Sequence, residues 1–368
     1  MSHLNNVNFA FSSNPDAYAA VSDILNTLGI DIDALVFFCS PSYDLQIIAR
    51  TIKTNWPCPA IGCTTAGEIL FTSGFVKNSI VAVGFSGGIV NLEPVLISHL
   101  NNFSTNEFVF PTIPVSASTH FGLLLIDGLS MMEERITAAI YQNLRIPLIG
   151  GSAGDNMNFK ETYVYSDGQF LSNAAVLGIF KTIHPFKTFM FQHIEPTDTR
   201  LVITEADVKT RTVFEINGEP AAEEYARLTG YPVHLLSSDI FAANPVMLKI
   251  GGSYYVRSIS KLNSNGSLTF FCAIENGLVL TLGKTTDITR QLEIQLKNLK
   301  SEFDKLELIL GCDCILRRLE LENTNSVAKM NQLISSYPFI GFSTFGEQYG
   351  GLHINQTLTG IALGVPHG

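Results

Sequence analysis

Three short, largely apolar runs, Ala34–Cys39, 121–126 and 306–310, are each followed by a stretch whose apolar positions recur at helical spacing: 45–53, 131–141 and 315–334. A strand buried on both faces shows no alternation, whereas a helix covering it shows spacings of three and four. Each helical stretch leads into a second short apolar run, and a polar turn then precedes a return strand near 78–84, 173–178 and 355–364. The pattern predicts an α/β fold with three β-α-β-β repeat units and mixed sheets. Ahead of them, 7–11 reads as a strand, and Asn14-Pro15-Asp16 opens a helix with Pro in its first turn. Between the first two units a strand near 95–98 and a Thr/Ser/Asn-rich loop fill residues 87–118.

After His184-Pro185 the period changes to alternation, in 189–194, 201–204 and 213–216. Asn217-Gly218 then makes a hairpin-type turn before a helix that Gly230 stops. Four short runs within 246–282, separated by Gly-Gly and Asn-Gly pairs, predict an antiparallel meander inserted in the C-terminal half, and a helix over 286–302 leads on to the third unit. The expected division is 30–220, holding two units, and 221–364, holding the meander and the third.

The turn after each second apolar run is itself repeated. Ile61-Gly62-Cys63-Thr64-Thr65-Ala66-Gly67-Glu68 returns as Ile340-Gly341-Phe342-Ser343-Thr344-Phe345-Gly346-Glu347, and in shortened form as Ile149-Gly150-Gly151-Ser152-Ala153-Gly154-Asp155. Glycines here answer a tight bend with positive φ. Loops beyond strand ends of open α/β sheets are also where ligands sit. The second reading makes Gly62, Thr64, Thr65, Gly151, Ser152, Gly341, Ser343 and Thr344 candidate ligand-binding residues, and both readings stand on sequence.

Composition narrows the partners. With 46% hydrophobic and 15% charged residues in 368, long disorder is excluded. A net charge of −10 without clustered Lys and Arg argues against nucleic acid. The pair Arg317-Arg318, set among Leu and Glu, reads as a solvated helix face. No signal-like N-terminus and no long apolar span are visible, so a soluble cytoplasmic protein, with homo-oligomerisation open, is expected. Six cysteines without framework spacing fit reduced thiols.

Motifs of phosphate loops, zinc helices, haem attachment and nucleophile elbows are absent from the sequence, so no enzyme is predicted. The densest cluster is Cys312-Asp313-Cys314-Ile315-Leu316-Arg317-Arg318, at a predicted strand end. Thiols there bind a soft metal or serve redox chemistry if positive charge lowers their pKa; otherwise they are small buried hydrophobes. His193 stands in an apolar, aromatic run, the setting of an axial haem ligand or of a core histidine bonded to backbone. His353 and His234 are weaker candidates.

The three corner segments, together with Val213-Phe214-Glu215-Ile216-Asn217-Gly218-Glu219-Pro220-Ala221, resemble the signatures of the FIST sensory domain in its N and C parts. The likeness covers about 30–364 and leaves no stretch of this chain for an output module. With the Cys312–Arg318 cluster, the chain resembles the nitric-oxide-sensing branch of that family. That resemblance implies haem b as cofactor, nitric oxide as ligand and a partner histidine kinase as the regulated target. The resemblance does not itself fix the axial ligand; the apolar setting nominates His193 as iron ligand, with His353, Cys312, Cys314 and Arg317 as further cofactor-binding candidates. The competing expectations are a module binding a small metabolite such as an amino acid, without haem, and an enzyme using Cys312, Asp313 and Cys314.

Overall fold

The computed structural model describes residues 6–104 and 114–367. Part of the loop expected within 87–118 therefore lies outside the described residues. The chain forms three mixed six-stranded sheets and one eight-stranded antiparallel sheet.

The three mixed sheets share one strand order. In the first, the order is Val7–Ser12, Ile80–Phe85, Ala34–Cys39, Ala60–Thr64, then the hairpin Val164–Ser166/Gln169–Leu171. Ala34–Cys39 and Ala60–Thr64 run parallel, joined by a helix at Leu45–Asn55. In the second, His120–Ile126 and Leu148–Ser152 form the parallel pair, and in the third Lys305–Cys314 and Phe339–Thr344 do. Each has an antiparallel return strand on one side and a hairpin on the other.

That hairpin always comes from a different sheet's segment. Glu68–Leu70 and Gly74–Val76 follow the first parallel pair but extend the third sheet. The hairpin following the second pair extends the first sheet, and Glu347–Tyr349 with Leu352–Ile354 extends the second. The β-α-β-β order expected from sequence thus gains a hairpin before each return strand, exchanged in a ring. Because of this exchange, the second and third sheets combine strands from both sides of residue 220.

Helices in chain order are α1 (Ala17–Leu28), α2 (Leu45–Asn55), α3 (Glu133–Leu144), α4 (Ala221–Thr229), α5 (Ser238–Ala243), α6 (Ile288–Lys300), α7 (Ile315–Asn323) and α8 (Val327–Ile334). The stretch expected as one helix over 315–334 is two, since Asn325 turns at φ 54°. The inner faces of the three sheets meet in one core, where Phe38 stacks on Phe342 at 4.4 Å between ring centroids. Helices α1 and α2 cover the first sheet outside, α3 the second, α6 and α8 the third.

The antiparallel sheet is not a simple meander. Two early strands, Ile194–Asp207 and Thr212–Ile216, lie at its centre, and Val279–Thr285 inserts between Ile194–Asp207 and Val246–Ile250. Its outermost strands, Ser253–Arg257 and Ile259–Leu262, are separated in sequence by Ser258 alone, so the sheet is nearly closed. Its apolar face packs on α4 and α5.

Candidate functional site

The three repeated corners lie at the carboxyl ends of the parallel strands and touch one another. Gly154 N donates to the Thr64 carbonyl at 2.9 Å, Ala66 N to the Ser343 carbonyl at 3.0 Å, and Ser152 N to the Gly346 carbonyl at 2.8 Å. Their side chains are spent in the same contacts. Thr64 Oγ1 accepts from Tyr163 N, Thr65 Oγ1 donates to Glu68 at 2.5 Å, Ser152 Oγ accepts from Gln348, and Thr344 Oγ1 donates to the Ser152 carbonyl at 2.7 Å. Ser343 Oγ is buried without a hydrogen-bond partner among the described residues.

Gly62, Gly151 and Gly341 have no positive φ, so the turn explanation for them is corrected: they are strand residues. What they supply is closeness. A Cβ on Gly341 would lie 2.1 Å from the Gly311 carbonyl oxygen in the neighbouring parallel strand. Gly67 does turn at φ 131°, and a Cβ there would lie 2.0 Å from Arg318 Nη1.

Two acids sit under the corners. Glu68 accepts from Thr65 and, at 2.6 Å, from Ser79, and burial pushes its carboxyl up to about 7 against those hydrogen bonds. Glu347 accepts from the Thr357 backbone and hydroxyl, at 3.0 and 2.8 Å, and burial raises it well above the usual range.

Where Lys305–Cys314 passes into α7, the chemistry is different. Asp313 accepts from Arg317 Nε at 2.6 Å, one helical turn on. Arg317 Nη1 reaches His193 Nδ1 at 3.1 Å, and His193 Nε2 meets Glu320 Oε2 at 2.7 Å. An arginine only donates, so Nδ1 accepts, and the imidazole proton sits on Nε2 and points at Glu320. Burial holds the ring below its ordinary pKa, with Glu320 opposing and Arg317 reinforcing the shift. Burial also raises Asp313, which Arg317 pulls back. Arg317 and Arg318 are buried, correcting the expectation of a solvated helix face: Arg318 lies against Gly67 and over the Phe75 ring, 5.6 Å to its centroid.

Glu320 links this chain to a cavity of about 230 Å³ between α5 and α7. Ala242, Ala243, Leu316 and Leu319 form apolar walls; Asp239, Glu320 and Asn323 give it polarity. Asn323 Nδ2 donates to Asp239 at 2.9 Å. A second cavity, of about 210 Å³, opens on the other flank of α7. None of the eight corner residues nominated from sequence lines either cavity.

The other nominated residues are apart from these openings. His353 is buried with Nδ1 accepting from Gln348 at 3.2 Å, and burial lowers its pKa to about 4. Its ring is wedged under Gly346. Cys312 and Cys314 are buried, and burial drives both thiols well above their ordinary pKa, the reverse of what a reactive thiol needs. Among the described residues no group of three or more His, Cys, Asp or Glu is placed to hold a metal ion. Both His193 nitrogens are engaged, so as arranged it fits an axial ligand only if Glu320 or Arg317 gives way. His234 lies in a short 3-10 turn, Val233–Leu235.

Glu320 was missed because an acid between Leu319 and Leu321 on a helix has the look of ordinary surface charge. The sequence signal that existed was the cluster beginning at Cys312, whose helix carries both arginines and Glu320.

Three α/β sheets interlocked through exchanged hairpins, with cavities on both flanks of one helix, make up this site. The chain belongs to the FIST family, whose domains are associated with sensory and signal-transduction roles: residues 33–219 match the FIST N domain and 221–350 the FIST C domain. It is similar to an uncharacterized protein of Methanocaldococcus jannaschii, 26% identical over 200 residues. That match spans 50% of this chain and 38% of the relative's length. No helix among the described residues is long and apolar enough to cross a membrane.

Proposed function

We propose that this chain is a sensory module whose small-molecule ligand occupies the cavity between α5 and α7. The observation that carries this reading is Glu320. It lines that cavity and bonds directly to buried His193, which continues through Arg317 to Asp313 at the strand end. Apolar walls and two carboxylates suit a ligand with a compact apolar body and a cationic head, such as an amine or an amino acid's ammonium group. Such a head at Glu320 competes with the imidazole for the carboxylate, so occupancy is passed to His193 and α7. The shared strand order supports treating the three mixed sheets as copies of one module, with α7 the copy adapted for sensing.

The test is calorimetry with a panel of amino acids and aliphatic amines, followed by Glu320→Gln. Loss of a charge-assisted contact lowers affinity about tenfold or more. Binding that is unchanged in Glu320→Gln overturns the assignment. In the bound protein, ¹⁵N shifts of the His193 ring change; ring signals that stay fixed on binding remove the coupling.

A second reading keeps haem, nitric oxide and a partner histidine kinase, from the resemblance of the 312–318 stretch. One observation favours it: His193 stands behind Glu320 at an apolar cavity. Bound haem would supply gas-binding iron, and His193 would hold it. A Soret band after reconstitution, lost in His193→Ala, supports that reading, as does haem-dependent change in the kinase's autophosphorylation. Its absence returns the site to the metabolite.

A further inference from the structure

On the opposite flank of α7, we propose a second site, for a small anion carrying a carboxylate or phosphate group. The cavity of about 210 Å³ there is lined by Ala66 of the first corner, Asn156 just after the second, and Lys77, Asn78, Arg318 and Glu322. It therefore sits beyond the carboxyl ends of parallel strands from different sheets, the usual ligand position in open α/β sheets.

Its charge selects the ligand. Glu322 bridges the two cations, 3.1 Å from Arg318 Nε and 3.5 Å from Lys77 Nζ, while the buried acids Asp313 and Glu68 act on Arg318 from further off. The Arg318 side chain is only 7% exposed, fixed by Gly67, Phe75 and the Val76 carbonyl, while Glu322 is 38% exposed. The cation is thus built in and its present partner is free to swing into water. An exposed carboxylate holds such a pair weakly, so an anion with two or three oxygens matched to the guanidinium fork displaces it. Asn78 and Asn156, both at positive φ, complete the lining, with Asn156 Nδ2 donating to Ser40 Oγ at 3.3 Å. The first turn of α7 carries no acid, and Asp313, the carboxylate just before it, is already paired with Arg317 at 2.6 Å.

The site is independent of Glu320, and its test separates the two. The full chain is titrated with inorganic phosphate and, separately, with succinate at fixed ionic strength, by calorimetry and thermal shift. The expected result is saturable binding of one or both, with the preferred anion telling phosphate from carboxylate. Glu322→Gln removes the internal competitor and tightens binding about tenfold, whereas Arg318→Gln weakens it about tenfold. Glu320→Gln leaves both constants as they were. Binding that is absent at millimolar anion, or is weakened or left unchanged by Glu322→Gln, overturns the proposal. That second variant decides the matter even if Arg318→Gln fails to fold.

Discussion

The repeated corners and helix α7 both stand at carboxyl ends of parallel strands, yet the corners reach a cavity only through Ala66 while α7 has one on each flank. The corners carry the residues that usually advertise a ligand site, glycines with hydroxyls, but those hydroxyls, Ser343 Oγ excepted, are taken up by hydrogen bonds within the protein, and backbone bonds join the corners. Around α7 the advertisement is poorer, two arginines and two acids on a leucine-rich helix, but Glu320 and Arg318 each keep one side toward an opening. Residue type therefore says less about ligand capacity than whether the hydrogen-bonding groups are already committed.

The sharpest break of that comparison is at Gly341. Gly341→Ala puts a methyl group 2.1 Å from the Gly311 carbonyl oxygen, and neither strand can move without opening the third sheet. A loss of about 3 kcal/mol or more in denaturant unfolding is expected, with a large share of the chain failing to fold. Wild-type stability in this variant would mean the corners have slack. Thr344→Val comes next: it keeps volume but leaves the Ser152 carbonyl without its hydroxyl donor. That costs about 1–3 kcal/mol, while affinity at the α7 cavities is unaltered. Altered ligand affinity at preserved stability would return the corner to a binding role.

Glu68 gives a comparable effect that pH reveals. Its folded pKa, about 7, lies above the unfolded value near 4.5, so the folded state holds the proton more tightly. That contribution is fully present below the unfolded pKa and is lost as pH rises through the folded one. From pH 4.5 to 7 the difference amounts to about 3 kcal/mol for this buried group. Glu68→Gln flattens this part of the stability profile, which urea unfolding across the window measures. Identical slopes for the two proteins would show that Glu68 stays ionised.

Much of this architecture could be read from the chain. Runs such as Ala34–Cys39, with helical spacing behind them, carry both strand and helix because burial on two faces leaves a plain apolar pattern. His193 was singled out by its apolar neighbours, and it is 2% exposed. Other features had no local signature. The exchanged hairpins use strands of three residues, too short to show a period, and their partners are distant in sequence. The His193–Glu320 bond spans 127 positions, so nothing near either residue announces it. Arg317 and Arg318 misled because charge suggests water unless the buried partner, Asp313 or the Gly67 corner, is seen.

The smallest effect is the most discriminating for α7. Lys77 is 58% exposed and meets Glu322, itself 38% exposed, at 3.5 Å. A pair so open to solvent is worth less than about 0.5 kcal/mol, so Lys77→Ala should leave the melting temperature almost where it was. The same change removes one of the two cations from the second cavity, and anion binding there weakens several-fold with stability intact. If instead Lys77→Ala destabilises the fold as strongly as Thr344→Val, the charge beside α7 is committed to structure just as the corner hydroxyls are. The contrast between the two regions then disappears.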